Sequence, residues 1–242
     1  MRTAVVSGGT RGMGLAFSLR LIKLGYRVVA LYRADETAAA AAAAAGVVPM
    51  MVDVADAAAV TEVAERIVAS YGPPTVLVNN AGVNVDRPFL EMSVDDWRRV
   101  LDTNLSGAFY LTRALVPAML GAQLDGVVVN VGATTGIRPR RDGVNYCASK
   151  AGLLQLTKCL ALELAPRIRV NCLIPGNTET EELVTRFRLD GPADRAAFVA
   201  DVPQRRIGTP EEISDALEFL VGPGSSFMTG QKLIVDGGQF MW

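Results

Sequence analysis

The fold is decided by one stretch near the start of the chain, Thr3-Ala4-Val5-Val6-Ser7-Gly8-Gly9-Thr10-Arg11-Gly12-Met13-Gly14. It begins as a short β-branched, apolar run and continues as a glycine-rich turn that opens an apolar-periodic stretch near residues 12–24. The unpaired amides of a helix N-terminus attract phosphate, and glycines let the backbone approach a pyrophosphate closely. The stretch therefore predicts a strand, a turn and a helix that fit a dinucleotide. A merely tight connection is the alternative, because the spacing departs from the commonest G-x-G-x-x-G pattern.

The rest of the chain alternates short strands with longer helical stretches. The predicted strands are residues 3–7, 27–32, 47–52, 75–79, 126–131, 169–173 and 232–235. The predicted helices lie near residues 12–24, 35–45, 56–71, 93–121, 146–165 and 210–221. Such alternation is typical of an α/β fold in which helices cover both faces of a parallel sheet.

The chain is predicted to form a single domain spanning residues 1–242. No Pro/Gly/Ser-rich linker and no internal repeat divides it. The eight alanines Ala38–Ala45 resemble low complexity, but alanine is the best helix former and the run falls where a crossover helix is due. We expect a surface helix there rather than a disordered linker.

Composition excludes several classes of function. Half of the 242 residues are hydrophobic, the net charge is −1 and no long basic run is present, which argues against a nucleic-acid partner. No apolar run reaches the length of a membrane span and no signal peptide precedes the first strand, so we expect a cytoplasmic protein without a membrane partner. Because the chain has no histidine, a His-dependent triad and an imidazole metal site are excluded. Cys147, Cys159 and Cys172 match no metal-ligand spacing, so no metal is expected and these side chains should be buried and reduced.

A possible proton-transfer pair lies in the segment Tyr146-Cys147-Ala148-Ser149-Lys150. Residues four apart share one face of a helix, so the Lys150 ammonium can lie beside the Tyr146 phenol. A phenol has a pKa of about 10, and a nearby cation favours the phenolate and lowers that pKa. The same spacing also arises often on ordinary helices, so the pair gains weight only from the motifs around it.

Charges near the end of the second predicted strand bear on the choice of cofactor. Proteins that select NAD usually place a carboxylate there to bind the ribose 2′-hydroxyl, whereas a 2′-phosphate prefers arginine. The strand ends in Leu31-Tyr32-Arg33, and Arg11 lies inside the glycine turn. Two cations thus converge where the phosphate would lie, which favours NADP(H). Asp35 weighs against this inference, and the alternative is that both arginines are solvated surface charge.

Further motifs make the chain resemble the short-chain dehydrogenase/reductases nearly from end to end. The matching positions are Gly8, Gly12, Gly14, Asp53, Asn79-Asn80-Ala81-Gly82, Asn104, Tyr146, Lys150, Pro175-Gly176 and Thr180. The nearest subgroups are the 3-oxoacyl-[acyl carrier protein] reductases and the acetoacetyl-CoA reductases, given residues 206–213, 229–231 and 235–242. The resemblance implies a Rossmann-type, doubly wound sheet of seven parallel strands in the order 3-2-1-4-5-6-7, in three α/β/α layers.

The resemblance also implies a mechanism and a set of site residues. Reduced nicotinamide would deliver a hydride to a ketone while Tyr146 supplies the proton. Lys150 would lower the pKa of Tyr146 and hold the nicotinamide ribose, and Asn104 would support a water chain. The implied cofactor-binding residues are Gly8, Thr10, Arg11, Gly12, Met13, Gly14, Arg33, Asp53, Val54, Asn80, Ala81, Gly82, Tyr146, Lys150, Pro175, Gly176, Thr178 and Thr180.

One position departs from the family pattern. The family carries a serine after the fifth strand whose hydroxyl steadies the substrate carbonyl, and Ala133 takes that place here. Losing one such donor typically costs about 10²- to 10³-fold in rate. Three explanations are open. Thr134 or Thr135 lends a hydroxyl, Thr135 lying on the same side if the strand stays extended. Otherwise Ala133 is an engineered change, or the chain is a natural member that has lost its ordinary catalysis and serves as a cofactor-binding protein.

The substrate is less well defined by the sequence. The leading expectation is a 3-oxoacyl thioester, and a polyketide-like, sugar or other secondary-metabolite ketone is the alternative. Residues 177–206 predict one or two amphipathic helices that form a substrate lid whose apolar face would suit an acyl chain, although a lid packed on its own core looks the same. The resemblance also implies a homotetramer, built through the long fourth and fifth helices.

Docking of a carrier protein is doubtful on the sequence. Arg167 falls near one of the arginine positions that the family uses for it, but residues 121–125 carry no cation at the other. The remaining candidates for an acidic or phosphorylated partner are Arg138, Arg140 and Arg141 near the mouth of the site.

Overall fold

The computed structural model describes residues 1–123 and 125–241. Its centre is a sheet of seven parallel strands in the order β3-β2-β1-β4-β5-β6-β7, which confirms the predicted topology. The strands are β1 (Arg2–Ser7), β2 (Tyr26–Tyr32), β3 (Val48–Met51), β4 (Pro74–Asn79), β5 (Gly126–Val131), β6 (Ile168–Pro175) and β7 (Lys232–Val235). The main differences from the predicted strands are that β3 is shorter at both ends and that β6 runs on to Pro175.

Helices cover both faces of the sheet. They are α1 (Gly12–Lys23), α2 (Glu36–Ala44), α3 (Ala57–Tyr71), α4 (Val94–Leu101), α5 (Gly107–Gly121), α6 (Val144–Leu164), α7 (Glu181–Phe187), α8 (Pro192–Phe198) and α9 (Pro210–Val221). Because successive strand residues point to opposite faces, β1 divides its side chains between two cores. Val6 joins Phe17 of α1 and Leu217 of α9 in one core, whereas Val5 joins Ile67 of α3 and Leu115 of α5 in the other.

The alanine run forms the surface helix predicted for it. It lies in α2, in which only Ala39 and Ala42 are buried. Asp35 caps this helix, since its side chain accepts a hydrogen bond from the amide of Ala38 at 2.9 Å. Alanine side chains bury little apolar surface against the sheet. The stability of α2 therefore depends largely on the helix propensity of alanine and on the Asp35 cap.

The long helix predicted for residues 93–121 is not uniform. Its α-helical parts α4 and α5 are joined by a π-helical turn, Asp102–Ser106, which buries Asn104. A π-turn inserts one extra residue into the helical path and is frequent at functional sites. The periodicity of the sequence shows the apolar face of a helix but not such an insertion.

The cysteines differ from expectation. Cys172 is buried, but Cys147 is only partly buried and Cys159 is exposed. The expectation that all three are buried is therefore wrong for two of them. Within residues 1–123 and 125–241, no helix combines the length and apolarity needed to cross a membrane.

Candidate active site

The site lies at the carboxyl edge of the sheet, where the ends of β1 and β4 are tied together by Ser7. The Ser7 hydroxyl accepts hydrogen bonds from the amides of Asn80 and Ala81, both at 3.0 Å. The Asn80 side chain in turn donates to the Ser7 carbonyl at 2.9 Å. The segment after β4 is thereby fixed against the glycine turn after β1, so the two predicted cofactor-binding segments share one edge of the sheet.

The glycine turn has the shape that the sequence predicts for a pyrophosphate site. Gly8 and Gly12 have positive φ angles of 63° and 53°, which favour glycine. A Cβ on Gly14 would lie only 2.0 Å from the Gly8 carbonyl oxygen, so that position requires glycine for packing. A Cβ on Gly12 would meet nothing nearer than a Thr180 methyl at 3.8 Å. Among the residues that the structure describes, no side chain caps the N-terminus of α1, so the first amides of that helix are free to bind an anion.

A cleft of about 610 Å³ runs from the glycine turn to Tyr146. Most of the predicted cofactor-binding residues line it: Gly8, Thr10, Arg11, Gly12, Met13, Gly14, Arg33, Asp53, Val54, Asn80, Ala81, Gly82, Tyr146, Lys150 and Thr180. Pro175, Gly176 and Thr178 are not among its lining residues. Thr178 is buried and donates to the Gly176 carbonyl at 3.1 Å, so this segment shapes the loop that leads to Thr180.

Three charged side chains lie at the end of the cleft beyond β2. Arg11, Arg33 and Asp35 all line it. The Asp35 carboxylate caps α2 and lies 3.9 Å from the Arg11 guanidinium. Asp35 is thus already engaged by a helix cap and a cation, while two arginines lie on the same side of the cleft.

The geometry of Tyr146 and Lys150 is only partly as predicted. Both lie on α6 and line the cleft, and the Lys150 Nζ atom is 5.7 Å from the centre of the Tyr146 ring. The Lys150 ammonium donates to the carbonyl of Val131, at the end of β5, at 2.7 Å. Spacing along a helix could predict that the two side chains are neighbours, but not that a strand carbonyl binds the ammonium.

The expected lowering of the Tyr146 pKa is not found. Burial raises the pKa of Tyr146 to about 12, with Glu182 acting in the same direction and Arg140 and Arg186 opposing it. Burial also lowers the pKa of Lys150 to about 8. The phenol therefore stays protonated at neutral pH, which is the form that can donate a proton to a carbonyl oxygen.

Asn104 lies beside this pair and connects three segments. Its side-chain oxygen accepts from the amide of Val83 at 2.8 Å, and its side-chain nitrogen donates to the Val83 carbonyl at 3.0 Å. The same nitrogen donates to the Ser149 hydroxyl at 3.2 Å. Asn104 thus fixes the segment after β4 to the α6 turn that carries Tyr146 and Lys150.

The backbone after β5 does not stay extended as far as Thr135, so the predicted placement of Thr135 on the same side as Ala133 fails. Ala133 is extended, but residues Thr134–Gly136 form a 3₁₀ turn, so the alternation of an extended strand stops at Ala133. The Thr135 hydroxyl is buried and has no hydrogen-bond partner among the residues described. Thr134 is buried as well. A hydroxyl without accessible surface cannot contact a substrate, so Thr135 is no replacement donor for the missing serine in this arrangement.

A charged cluster near Tyr146 was only partly predicted. The Arg140 guanidinium donates to both carboxylate oxygens of Asp86, at 2.6 and 2.8 Å, and to the side-chain oxygen of Asn84 at 3.1 Å. Arg186 of α7 also donates to Asp86. Arg140 lies 5.6 Å from the centre of the Tyr146 ring. Arg140 was a candidate from the sequence, but Asp86 and Arg186 were not. No local motif shows that Asp86 binds these two arginines.

The segment predicted to be a lid, residues 177–206, contains two short helices, α7 and α8. Their apolar side chains pack together, with the Phe187 and Phe198 rings 4.8 Å apart and Leu189 and Val199 buried. The interpretation that the lid packs on its own apolar residues therefore holds for this part of it. At the surface considered for docking of a carrier protein, Arg167 forms an ion pair with Asp125 at 3.0 Å. Leu124, in the second segment considered there, lies outside the described residues.

Comparisons with known proteins agree with this fold. A family model described as enoyl-(acyl carrier protein) reductase matches residues 8–239. A 3-oxoacyl-[acyl-carrier-protein] reductase of Salmonella typhimurium is 35% identical over 243 residues, covering 99% of this chain and 98% of its own. An acetoacetyl-CoA reductase of Shinella zoogloeoides is 36% identical over 241 residues, with coverages of 99% and 98%. Among solved structures, the aldohexose dehydrogenase of Thermoplasma acidophilum has a TM-score of 0.91 at 30% identity and covers 98% of this chain and 93% of its own.

The chain belongs to the short-chain dehydrogenase/reductase family and is an oxidoreductase of that family. Within it, the chain is similar to 3-oxoacyl-[acyl-carrier-protein] reductases and acetoacetyl-CoA reductases.

Proposed function

We propose that this protein reduces the carbonyl group of a ketone with NADPH. The observation that carries the proposal is the single cleft that joins the glycine turn at Gly12 to Tyr146 and Lys150. The turn offers free helix amides and open space above Gly12, as a pyrophosphate requires. Tyr146, at the far end of the cleft, stays protonated at neutral pH because burial raises its pKa to about 12.

The residues near Tyr146 have distinct roles in this proposal. The nicotinamide, when bound, supplies the hydride that goes to the carbonyl carbon. Tyr146 donates its phenolic proton to the carbonyl oxygen, which completes the hydroxyl group. Lys150, held by the Val131 carbonyl, is positioned to bind the nicotinamide ribose, and Asn104 holds the α6 turn in place and supports the water that returns the proton.

Two substrate classes follow from the names of similar proteins. The relatives named as 3-oxoacyl-[acyl-carrier-protein] and acetoacetyl-CoA reductases support a 3-oxoacyl thioester. The structural neighbour named as an aldohexose dehydrogenase supports the alternative of a sugar-like ketone. Delivery by a carrier protein gains nothing from Arg167, because that side chain is already paired with Asp125.

A protein with little turnover is the second candidate function. Ala133 favours it, because its methyl group cannot donate the hydrogen bond that steadies a carbonyl oxygen. Oxidation of NADPH in the presence of acetoacetyl-CoA or of other ketones tests the two candidates. We expect substrate-dependent oxidation. Tight binding of NADPH without oxidation by any ketone would instead support a cofactor-binding protein that acts as a sensor or an assembly partner.

NADPH is expected to bind more tightly than NADH. Arg33 and Arg11 line the end of the cleft to which we assign the 2′-phosphate, and charged hydrogen bonds of this kind contribute about tenfold or more to affinity. Arg33→Ala should therefore weaken NADPH binding at least about tenfold and leave NADH binding nearly unchanged. Fluorescence titration measures both affinities, and Arg66→Ala is the control because that exposed arginine lies outside the lining of the cleft. Tighter binding of NADH by the unmodified chain would contradict the assignment.

We propose that the chain is one domain, residues 1–242, with residues 177–206 as its substrate lid.

We also propose that the protein assembles as a homotetramer through α4, α5 and α6. Large apolar side chains are exposed on or next to these helices: Phe89, Leu90, Trp97, Phe109 and Leu162. Exposed apolar surface of this kind favours association. Light scattering in solution tests the assembly, and a monomer mass at micromolar concentration would contradict it.

A further inference from the structure

The wall of the cleft next to Tyr146 is polar. Asn84, Glu182 and Arg186 line it together with Tyr146. Arg186 donates to the Asp86 carboxylate, which also accepts hydrogen bonds from the two terminal nitrogens of the Arg140 guanidinium. Glu182 and Arg186 are four residues apart on α7 and so share one face of that helix.

The apolar part of the lid does not compensate for this polarity. Phe187 of α7 packs on Phe198 of α8, and the Arg186 guanidinium lies over the Phe187 ring, 5.0 Å from its centre. These rings are thus already engaged, and the face of α7 that carries Glu182 and Arg186 stays charged. An acyl chain lying against that face would take charged groups out of water without replacing their hydrogen bonds, which is unfavourable. This wall therefore fits a substrate that brings hydrogen-bonding groups of its own.

The balance of charge narrows the class of substrate further. The two guanidiniums of Arg140 and Arg186 and the two carboxylates of Asp86 and Glu182 together carry no net charge. An anionic substrate would be repelled by Glu182 and a cationic one by Arg186. Hydroxyl groups both donate and accept, so they can bind the Glu182 carboxylate, the Arg186 guanidinium and the Asn84 amide at once.

We infer that the substrate is a small, uncharged ketone carrying several hydroxyl groups, which Asn84, Glu182 and Arg186 bind while Tyr146 contacts its carbonyl oxygen. The inference rests on the proposed reductase function, and of its two substrate classes it favours the hydroxylated, sugar-like ketone over the thioester. Glu182 and Arg186 are then specificity residues, and their contribution is largest for substrates that carry hydroxyl groups.

A matched set of four-carbon ketones tests the inference. The probes are erythrulose, which is neutral and carries three hydroxyls, 2-butanone, which carries none, and acetoacetate, which is an anion, together with acetoacetyl-CoA. We expect kcat/KM for NADPH-dependent reduction of erythrulose to exceed those of the other three at least about 100-fold, because a site built to bind hydroxyls discriminates strongly against analogues without them. All rates are measured in the unmodified chain and in Ala133→Ser.

Glu182→Gln separates binding of the substrate from a structural effect. We expect this variant to raise KM for erythrulose about tenfold with little change in kcat, since a charged hydrogen bond is lost. The same change should increase the rate with acetoacetate, because a repulsive charge is removed. Glu65→Gln, the same change at an exposed residue of α3 outside the lining of the cleft, is the control and should shift both rates less than about threefold, like other exposed substitutions.

The outcomes distinguish the inference from the function on which it rests. Faster reduction of 2-butanone, acetoacetate or acetoacetyl-CoA than of erythrulose would overturn the inference and leave the reductase function intact. An unchanged KM for erythrulose in Glu182→Gln would also overturn it. NADPH oxidation with none of the four ketones, in either background, would overturn both.

Discussion

Tyr146→Phe is expected to lower the rate of ketone reduction by about 10²- to 10⁴-fold, the usual contribution of a general acid. The change removes only the phenolic oxygen, and the ring keeps its contacts with Lys150 and Arg140. Binding of NADPH should therefore change less than about twofold, as for a substitution that leaves packing intact. Steady-state rates and a fluorescence titration of NADPH measure the two effects.

Tyr110→Phe is the matched control for this variant. Tyr110 lies on α5, beside the ring of Phe109 and outside the lining of the cleft, so the same chemical change there should leave the rate unaltered. A Tyr146→Phe variant that keeps full activity would show that the proton comes from elsewhere.

Ala133→Ser is expected to raise kcat by about 10²- to 10³-fold, because it restores a hydrogen-bond donor to the carbonyl oxygen. The position is extended, only partly buried and two residues past the end of β5, so its backbone is compatible with serine. The Thr135 hydroxyl has no accessible surface, so it cannot supply that donor in this arrangement, and Thr134 is only 9% exposed.

Thr134→Val and Thr135→Val are the controls for this prediction. They should leave the rate of the unmodified chain nearly unchanged. If instead Ala133→Ser brings no rise and either valine variant loses activity, the threonine serves as the donor and the loop rearranges to expose it.

The elements that the sequence predicted well depend on local patterns. The turn from Ser7 to Gly14 carries its own constraints, because the glycines at 8 and 12 take positive φ and Gly14 packs on the Gly8 carbonyl. The alternation of apolar strands with helical stretches likewise indicates a parallel sheet covered on both faces, whereas the strand order was implied only by the resemblance to the family. Both features were predictable because residues close in the chain determine them.

The features that the sequence did not predict depend on contacts between distant residues. The Asp86 carboxylate binds Arg140, 54 positions away, and Arg186, 100 positions away, and nothing in the local sequence marks those partners. The pKa of Tyr146 was misjudged for a related reason. Spacing placed Lys150 nearby, but it could not show how far the folded chain removes the phenol from water, and burial raises that pKa.

The turn at Thr134 shows a third limit. Thr135 would lie on the same side as Ala133 only if the strand continued past Ala133. A 3₁₀ turn begins at Thr134 instead, so the two side chains do not alternate as in a strand. Boundaries of strands are set by packing as much as by propensity, so an inference that crosses a boundary is weaker than one within an element.

A crystal structure of the protein with bound NADP⁺ tests the central claim most directly. The account predicts that the pyrophosphate lies on the amides that follow Arg11, that Lys150 binds the nicotinamide ribose and that the phenolic oxygen of Tyr146 faces the nicotinamide ring across the space left for a carbonyl. A nicotinamide ring placed away from Tyr146, or a dinucleotide bound outside the cleft at Gly12, would contradict it.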